Sequence, residues 1–373
     1  MLPELKELLT YLEDNLSYEN AFRIENLHKS TLNWQKISRL PVVAVYPYPE
    51  DEKFTPFPYS QVFDNPEKML FNQLVDASYG SIYLNREIGD DLPLTIRTDY
   101  GCVLIASIFG AKVEQVEDNP PWIRHTDTKI TYDQIIQNSS SDFEKGKVPD
   151  VVECFKFYLD ILKDYPNISK TANIVMPDLQ GPFVNLELIR GDEIFTDVYT
   201  QKDSFLEAMA KVAEIQINLA KYFGQFISEK IDGYSHQHSF LIKGGILIRD
   251  DTSIMVSPQM YREMIAPFNE QILQACGGGI HCCGNFDHII REFLSLKSIQ
   301  CFDFGQSELS DIESIYKLAE ENHLPLIRIN VDEDDLVSGK ILNKYPTGVS
   351  LRFKAASFEQ AKEVIAKYKT LGK

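Results

Sequence analysis

The sequence predicts an α/β protein, a single (β/α)8 TIM barrel preceded by an N-terminal helical extension. Three observations support this. From residue 39 onward, short apolar runs rich in Val, Ile and Leu alternate with segments of helical period, the pattern of parallel βα units. The runs number about eight, enough to close a barrel. None of them is followed by a Gly-x-Gly-x-x-Gly turn or a Walker loop, which disfavours an open nucleotide-binding sheet. Residues 1–38 are assigned to the extension and 39–373 to the barrel, with no linker dividing the latter.

The elements follow in chain order. Leu5, Leu8, Leu9, Leu12 and Leu16 recur at spacings of three and four, which predicts helix within residues 2–38. Residues 39–45 form the first strand candidate, and a proline-rich loop with Tyr46, Tyr48, Phe54, Phe57 and Tyr59 follows. Those aromatic residues are expected to pack the connection down. Pro66 opens a helix, where its missing N–H is harmless. Residues 93–110 read as strand, turn and buried helix, and 153–162 as a helix. From residue 171 the rhythm is regular. Strands are expected at 171–178, 245–251, 298–305, 324–331 and 347–353, with helices near 183–190, 203–229, 286–296, 311–322 and 357–369. Ser257-Pro258 is an N-cap with proline at the first helical position.

Composition bounds the function. The chain has 373 residues, is 44% hydrophobic and carries a net charge of −18. That acidity speaks against nucleic acid and anionic membrane surfaces as partners. No apolar run approaches the roughly 20 residues that span a bilayer, and residues 1–7 lack the basic and apolar regions of a signal peptide. The six cysteines are scattered, as reduced thiols in a cytoplasm would be. The expectation is a cytoplasmic protein acting on a small molecule.

The chemistry centres on Gly277-Gly278-Gly279-Ile280-His281-Cys282-Cys283-Gly284-Asn285. Residues two apart on a strand share a face, so His281 and Cys283 project together, with Cys282 turned away. An imidazole and a thiolate make half of a zinc site. The alternative is a polar strand end with a buried thiol and no metal. Candidates to complete the site are His238, which stands two from His236, and Cys301 near the start of the next strand, with Glu187 a further oxygen donor. Barrel enzymes place their chemistry at the C-terminal ends of strands, which selects Asp178, Gln180, Asp250, Asp251, Asp303, Gln306 and Asn330. Asp250-Asp251 reads either as a catalytic pair with one raised pKa or as a loop cap. Asp178, Gln180, His236, Asp303 and Gln306 are substrate-binding candidates, with turn chemistry as the alternative for all but His236.

His281-Cys282-Cys283-Gly284-Asn285, together with Asp250 to Tyr261, Pro267-Phe268, Asp178 to Phe183, Pro66 to Leu70 and Phe109-Gly110, resembles the uroporphyrinogen decarboxylase superfamily. The His-x-Cys-Gly pattern is similar to its branch of corrinoid-dependent methyltransferases, of the methylcobamide:coenzyme M type. The resemblance runs from about residue 20 to the end and implies one (β/α)8 barrel. It further implies zinc held by His281, Cys283 and a later cysteine, a thiol acceptor bound as thiolate, and a corrinoid supplied by a partner protein. This sequence has no cysteine after Cys301, and the matching strand reads Gly348-Val349-Ser350-Leu351-Arg352-Phe353. Two alternatives stay open. One is a uroporphyrinogen decarboxylase-type lyase of porphyrin biosynthesis, although residues 39–47 lack the arginine cluster that branch uses. The other is a metal-free binding member of the superfamily.

Overall fold

The computed structural model describes residues 1–75, 80–125, 129–237 and 239–371. Its strands are β1 (Val42–Val45), β2 (Thr95–Ile96), β3 (Lys112–Glu114), β4 (Trp122–Arg124), β5 (Asn173–Ile174), β6 (Leu179–Gln180), β7 (Tyr234–Gln237), β8 (Phe240–Lys243), β9 (Ile246–Arg249), β10 (Gly278–Cys282), β11 (Cys301–Phe304), β12 (Leu326–Asn330) and β13 (Val349–Lys354). Seven of them form one sheet in the order β1-β13-β12-β11-β10-β9-β6, and every pairing in it is parallel. Consecutive strands lie side by side and the first pairs with the last, the winding of a TIM-barrel-like fold.

The predicted closure is only partly present. β2 and β5 form a separate parallel pair, and among the described residues no ladder closes the barrel. At the β1 edge, side chains stand in for a strand. Ala44 N–H donates to Asp90 Oδ2 at 2.8 Å and Val42 N–H to Asp91 Oδ2 at 3.2 Å, while Asp91 N–H returns a bond to Val42 O at 2.9 Å. On the other side the predicted strand 171–178 breaks after Ile174 and resumes as β6.

The extension folds as two helices, Pro3–Asn15 and Tyr18–Leu32, separated at Ser17, whose side chain caps the second by accepting from Asn20 N–H. Leu5, Leu8, Leu9 and Leu12 are buried, as their spacing predicts. The Glu13 carboxylate accepts from Asn167 and Ile168 N–H, satisfying the free amides that open helix Pro166–Thr171. In the proline-rich loop, Phe54 and Phe57 pack edge-on against Phe71, so these aromatics hold the connection down.

Two hairpins interrupt the βα rhythm. β3–β4 follows β2, and β7–β8 precedes β9. The second lies toward the N-terminal ends of the strands, with Gly244 beside Gly278 at the start of β10, and its Phe240 ring lies 5.3 Å from the Arg328 guanidinium. Behind β10 and β11, Phe286, Phe293, Phe302 and Phe304 form an aromatic layer. Phe302 and Phe304 alternate with Cys301 and Asp303, so the period of two sends polar groups to one face and rings to the other. Gly278 opens β10 at φ +126°, where a Cβ would lie 1.8 Å from Ile246 O. Among the described residues no helix is long and apolar enough to cross a membrane.

Candidate metal centre

β10 ends at Cys282 and the chain turns at Gly284, with φ +80°. His281 and Cys283 therefore leave the strand end on one face, and Cys282 turns away, its Sγ 3.7 Å from Asp250 O. The His281 Nε2 to Cys283 Sγ separation is 3.3 Å. Room for the thiol comes from Gly305, where a Cβ would sit 2.2 Å from Cys283 Sγ.

A third donor arrives from the neighbouring strand. Asp251 begins the short 3-10 turn after β9, and its Oδ1 accepts from Cys283 N–H at 2.6 Å and lies 3.8 Å from His281 Nε2. One ligand atom each from Asp251, His281 and Cys283 falls within 4.8 Å of the others. Tetrahedral zinc with bonds of about 2.1 Å to nitrogen or oxygen and 2.3 Å to sulfur needs donors roughly 3.5 Å apart. The donor set and its spacing fit such an ion.

The imidazole is oriented from behind. Asp303, buried on β11 at the same level as His281, accepts from Nδ1 at 2.5 Å, which turns Nε2 toward Cys283 and Asp251. Arg328 grips the same carboxylate through Nε at 3.0 Å and Nη2 at 2.8 Å. Arg328 has φ +68° at the point where β12 shifts register against β13. For a residue with a Cβ that conformation costs about 1–2 kcal/mol. Without a cation Cys283 stays protonated, because burial and then Asp251 push its thiol up to about 12.

The fold is similar to that of a methyltransferase from Methanosarcina mazei. The TM-score is 0.65 at 13% sequence identity, with 93% of this chain and 98% of that chain covered. At this identity the likeness is one of fold. No family model matches the sequence, and no curated protein matches it at a significant level.

The remaining sequence candidates are spread over separate parts of the fold. Asp250 is fully buried in the helical layer, where it accepts from Ser253 Oγ at 2.7 Å and Asn269 Nδ2 at 2.6 Å, so it secures the loop while Asp251 joins His281 and Cys283. Burial raises its carboxyl to about 6. Asp178 pairs with Arg97 at 3.0 Å and Arg249 at 2.6 Å, and Gln180 sits beside Arg249 in register. Gln306 accepts from Gly284 N–H at 3.0 Å and ties two rim loops together.

Cys301 and His236 lie elsewhere. Cys301 pairs with Gly279, two residues before His281, which puts it about 6.6 Å further down the strand. Its buried Sγ faces Lys243 O at 3.8 Å, and it is no part of the trio. His236 belongs to the hairpin at the opposite ends of the strands, with Nδ1 2.5 Å from Glu229 Oε1. It lines a cavity of about 850 Å³ with Asn173, Lys29 and Tyr234, which removes it from the rim. His238 lies outside the described residues. Glu187, on helix Pro182–Arg190, also stays out of the trio.

Sequence reasoning passed over the arginines. Arg97, Arg249 and Arg328 are buried, and Arg352 donates to Asn330 Oδ1 at 2.6 Å and Gly305 O at 2.7 Å. Their signal was strand position, since Arg249, Arg328 and Arg352 all lie within strands of the main sheet, where a lone charge is costly unless paired. Cys102 also went unnoticed. Burial, with Asp178, Glu187 and Asp251 as neighbouring carboxylates, pushes its thiol up to about 12.

Proposed function

We propose that this chain is a zinc-dependent methyltransferase, moving a methyl group between a corrinoid on a partner protein and a thiol or related small acceptor. The observation that carries the reading is the trio Asp251, His281 and Cys283 at the strand ends, with Asp303 behind His281. The fold likeness to a methyltransferase supports it. So does the chemistry of Asp251, since a carboxylate is an ordinary zinc ligand beside a histidine and a cysteine.

Bound zinc would supply Lewis acidity and stabilise an acceptor thiol as thiolate at neutral pH. The chain's own residues do the rest. His281 offers Nε2 because Asp303 holds Nδ1–H. Cys283 would hold the ion as a thiolate, its proton released to solvent, with the Asp251 carboxylate as the third donor beside it. The Asp178, Arg97 and Arg249 cluster presents paired charges for a polar acceptor.

Zinc analysis after purification without chelator tests the reading. We expect about one equivalent in the wild type, the stoichiometry of a single site, and little in Cys283→Ala. A wild type with under roughly a tenth of an equivalent would sink it and leave a metal-free binding protein. Loss of methylcobalamin absorbance in the presence of small thiols tests the transfer itself. The lyase alternative predicts coproporphyrinogen from uroporphyrinogen, and formation at a useful rate would replace the methyltransferase reading.

A further inference from the structure

We infer that Arg328 is a positioning residue that sets the metal affinity of the site, acting on His281 through Asp303. The inference rests on the metal reading above, and it concerns a residue that touches neither ion nor substrate. Arg328 is 5% exposed and Asp303 fully buried, so their pair is shielded from water. Two parallel bonds, Nε to Oδ1 at 3.0 Å and Nη2 to Oδ2 at 2.8 Å, fix the plane of the carboxylate. The oxygen that takes the second bond also accepts from His281 Nδ1, so the guanidinium determines where the imidazole points.

The backbone indicates that the contact matters. Arg328 sits inside β12 with φ +68°, where the register with β13 shifts between Leu326 and Ile329. An extended arginine would satisfy the strand without strain. A bulge re-aims a side chain, and such distortions concentrate where a side chain has to reach a particular place. From the far side the Phe240 ring lies 5.3 Å from the guanidinium carbon and limits its movement. The result is a column, Phe240 to Arg328 to Asp303 to His281, which ends 3.3 Å from the Cys283 thiol. Lysine keeps the charge of Arg328 but not the fork, which frees the carboxylate to swivel.

Zn²⁺ affinity is measured by competition with a chromogenic chelator on wild type, Cys283→Ala, Arg328→Lys and Arg328→Gln, together with the visible spectrum of the Co²⁺ forms and thermal unfolding of the metal-free proteins. Removing the partner of a metal-bound histidine weakens binding roughly 10–100-fold. The expected result is such a loss in Arg328→Lys and at least as large a loss in Arg328→Gln. An altered Co²⁺ spectrum should accompany it, with metal-free Arg328→Lys unfolding within about 5 °C of wild type. Wild-type affinity and an unchanged Co²⁺ spectrum in both variants, while Cys283→Ala fails to bind, would overturn the inference and leave the metal reading intact. Unfolding of both metal-free Arg328 variants would assign Arg328 to the fold alone and overturn it too. A wild type that binds no Zn²⁺ removes the metal reading, and the inference with it.

Discussion

Asp251 and Asp303 are both carboxylates within reach of His281, yet their surroundings assign them opposite burdens. The Asp251 side chain is 42% exposed on a turn, whereas Asp303 is sealed between an imidazole and a guanidinium. Asp251→Ala loses the bond from Cys283 N–H at a half-exposed site and should cost about 1–1.5 kcal/mol, while lowering zinc content. Asp303→Ala leaves Arg328 buried without its partner and should cost about 3–5 kcal/mol. Urea unfolding midpoints beside metal analysis separate the two. A large stability loss in the Asp251 variant would contradict this division. At this scale the sequence was readable where chemistry follows spacing. His281 and Cys283 stand two apart on a strand, and that alone aligned them. It could not show which of Asp250 and Asp251 faces His281 and Cys283, because one residue of register decides it. Arg328 was hidden for a deeper reason, since nothing in the local pattern announces a left-handed φ at an arginine.

The elements were legible wherever the hydrophobic period was strong. Helix Pro66–Val75, helix Ile312–Glu321 and strands β9 to β13 fall within a few residues of their predicted positions. The β7–β8 hairpin was not seen, because its turn carries no Asn-Gly or Asp-Gly signal and Ser239 supplies the positive φ instead. The long helix expected from 203 to 229 ends at Phe223, and the following segment turns back so that Ser228 and Glu229 N–H reach Ile174 O. The glycine run before His281 is explained by close approach. Gly278→Ala would drive a Cβ to 1.8 Å from Ile246 O and force β9 and β10 apart. We expect a loss of about 3 kcal/mol or more, at the upper end of overpacking effects, read as insoluble expression or a lowered unfolding midpoint. Wild-type stability for this variant would mean that the two strands can separate without penalty.

For the whole molecule, the extension and the β1 edge decide how the sheet is held. Deletion of residues 1–32 would uncover the surface that Leu5, Leu8, Leu9 and Leu12 cover and strip the Glu13 cap from helix Pro166–Thr171. The truncated chain should aggregate, and a soluble, cooperatively unfolding product would refute that. Stability should also respond to Asp90. Burial raises its carboxyl from 3.8 to about 7, so the folded state holds a proton that the unfolded state releases. Its contribution to stability is therefore largest below about pH 4 and is lost as pH rises through about 7. Asp90→Asn, which carries no such charge, should gain on wild type by on the order of 2 kcal/mol between pH 5 and pH 8, measured by urea unfolding at each pH. Parallel curves for the two proteins would refute the assignment. A sheet in which no ladder closes among the described residues also has a place to breathe. The amide protons of Val42 and Ala44 are retained by the Asp91 and Asp90 carboxylates, whereas Ile280 lies in the middle of a strand paired on both sides. Hydrogen–deuterium exchange should therefore begin at this seam, with Val42 and Ala44 labelled through a local opening long before Ile280, whose proton leaves only when the whole chain unfolds.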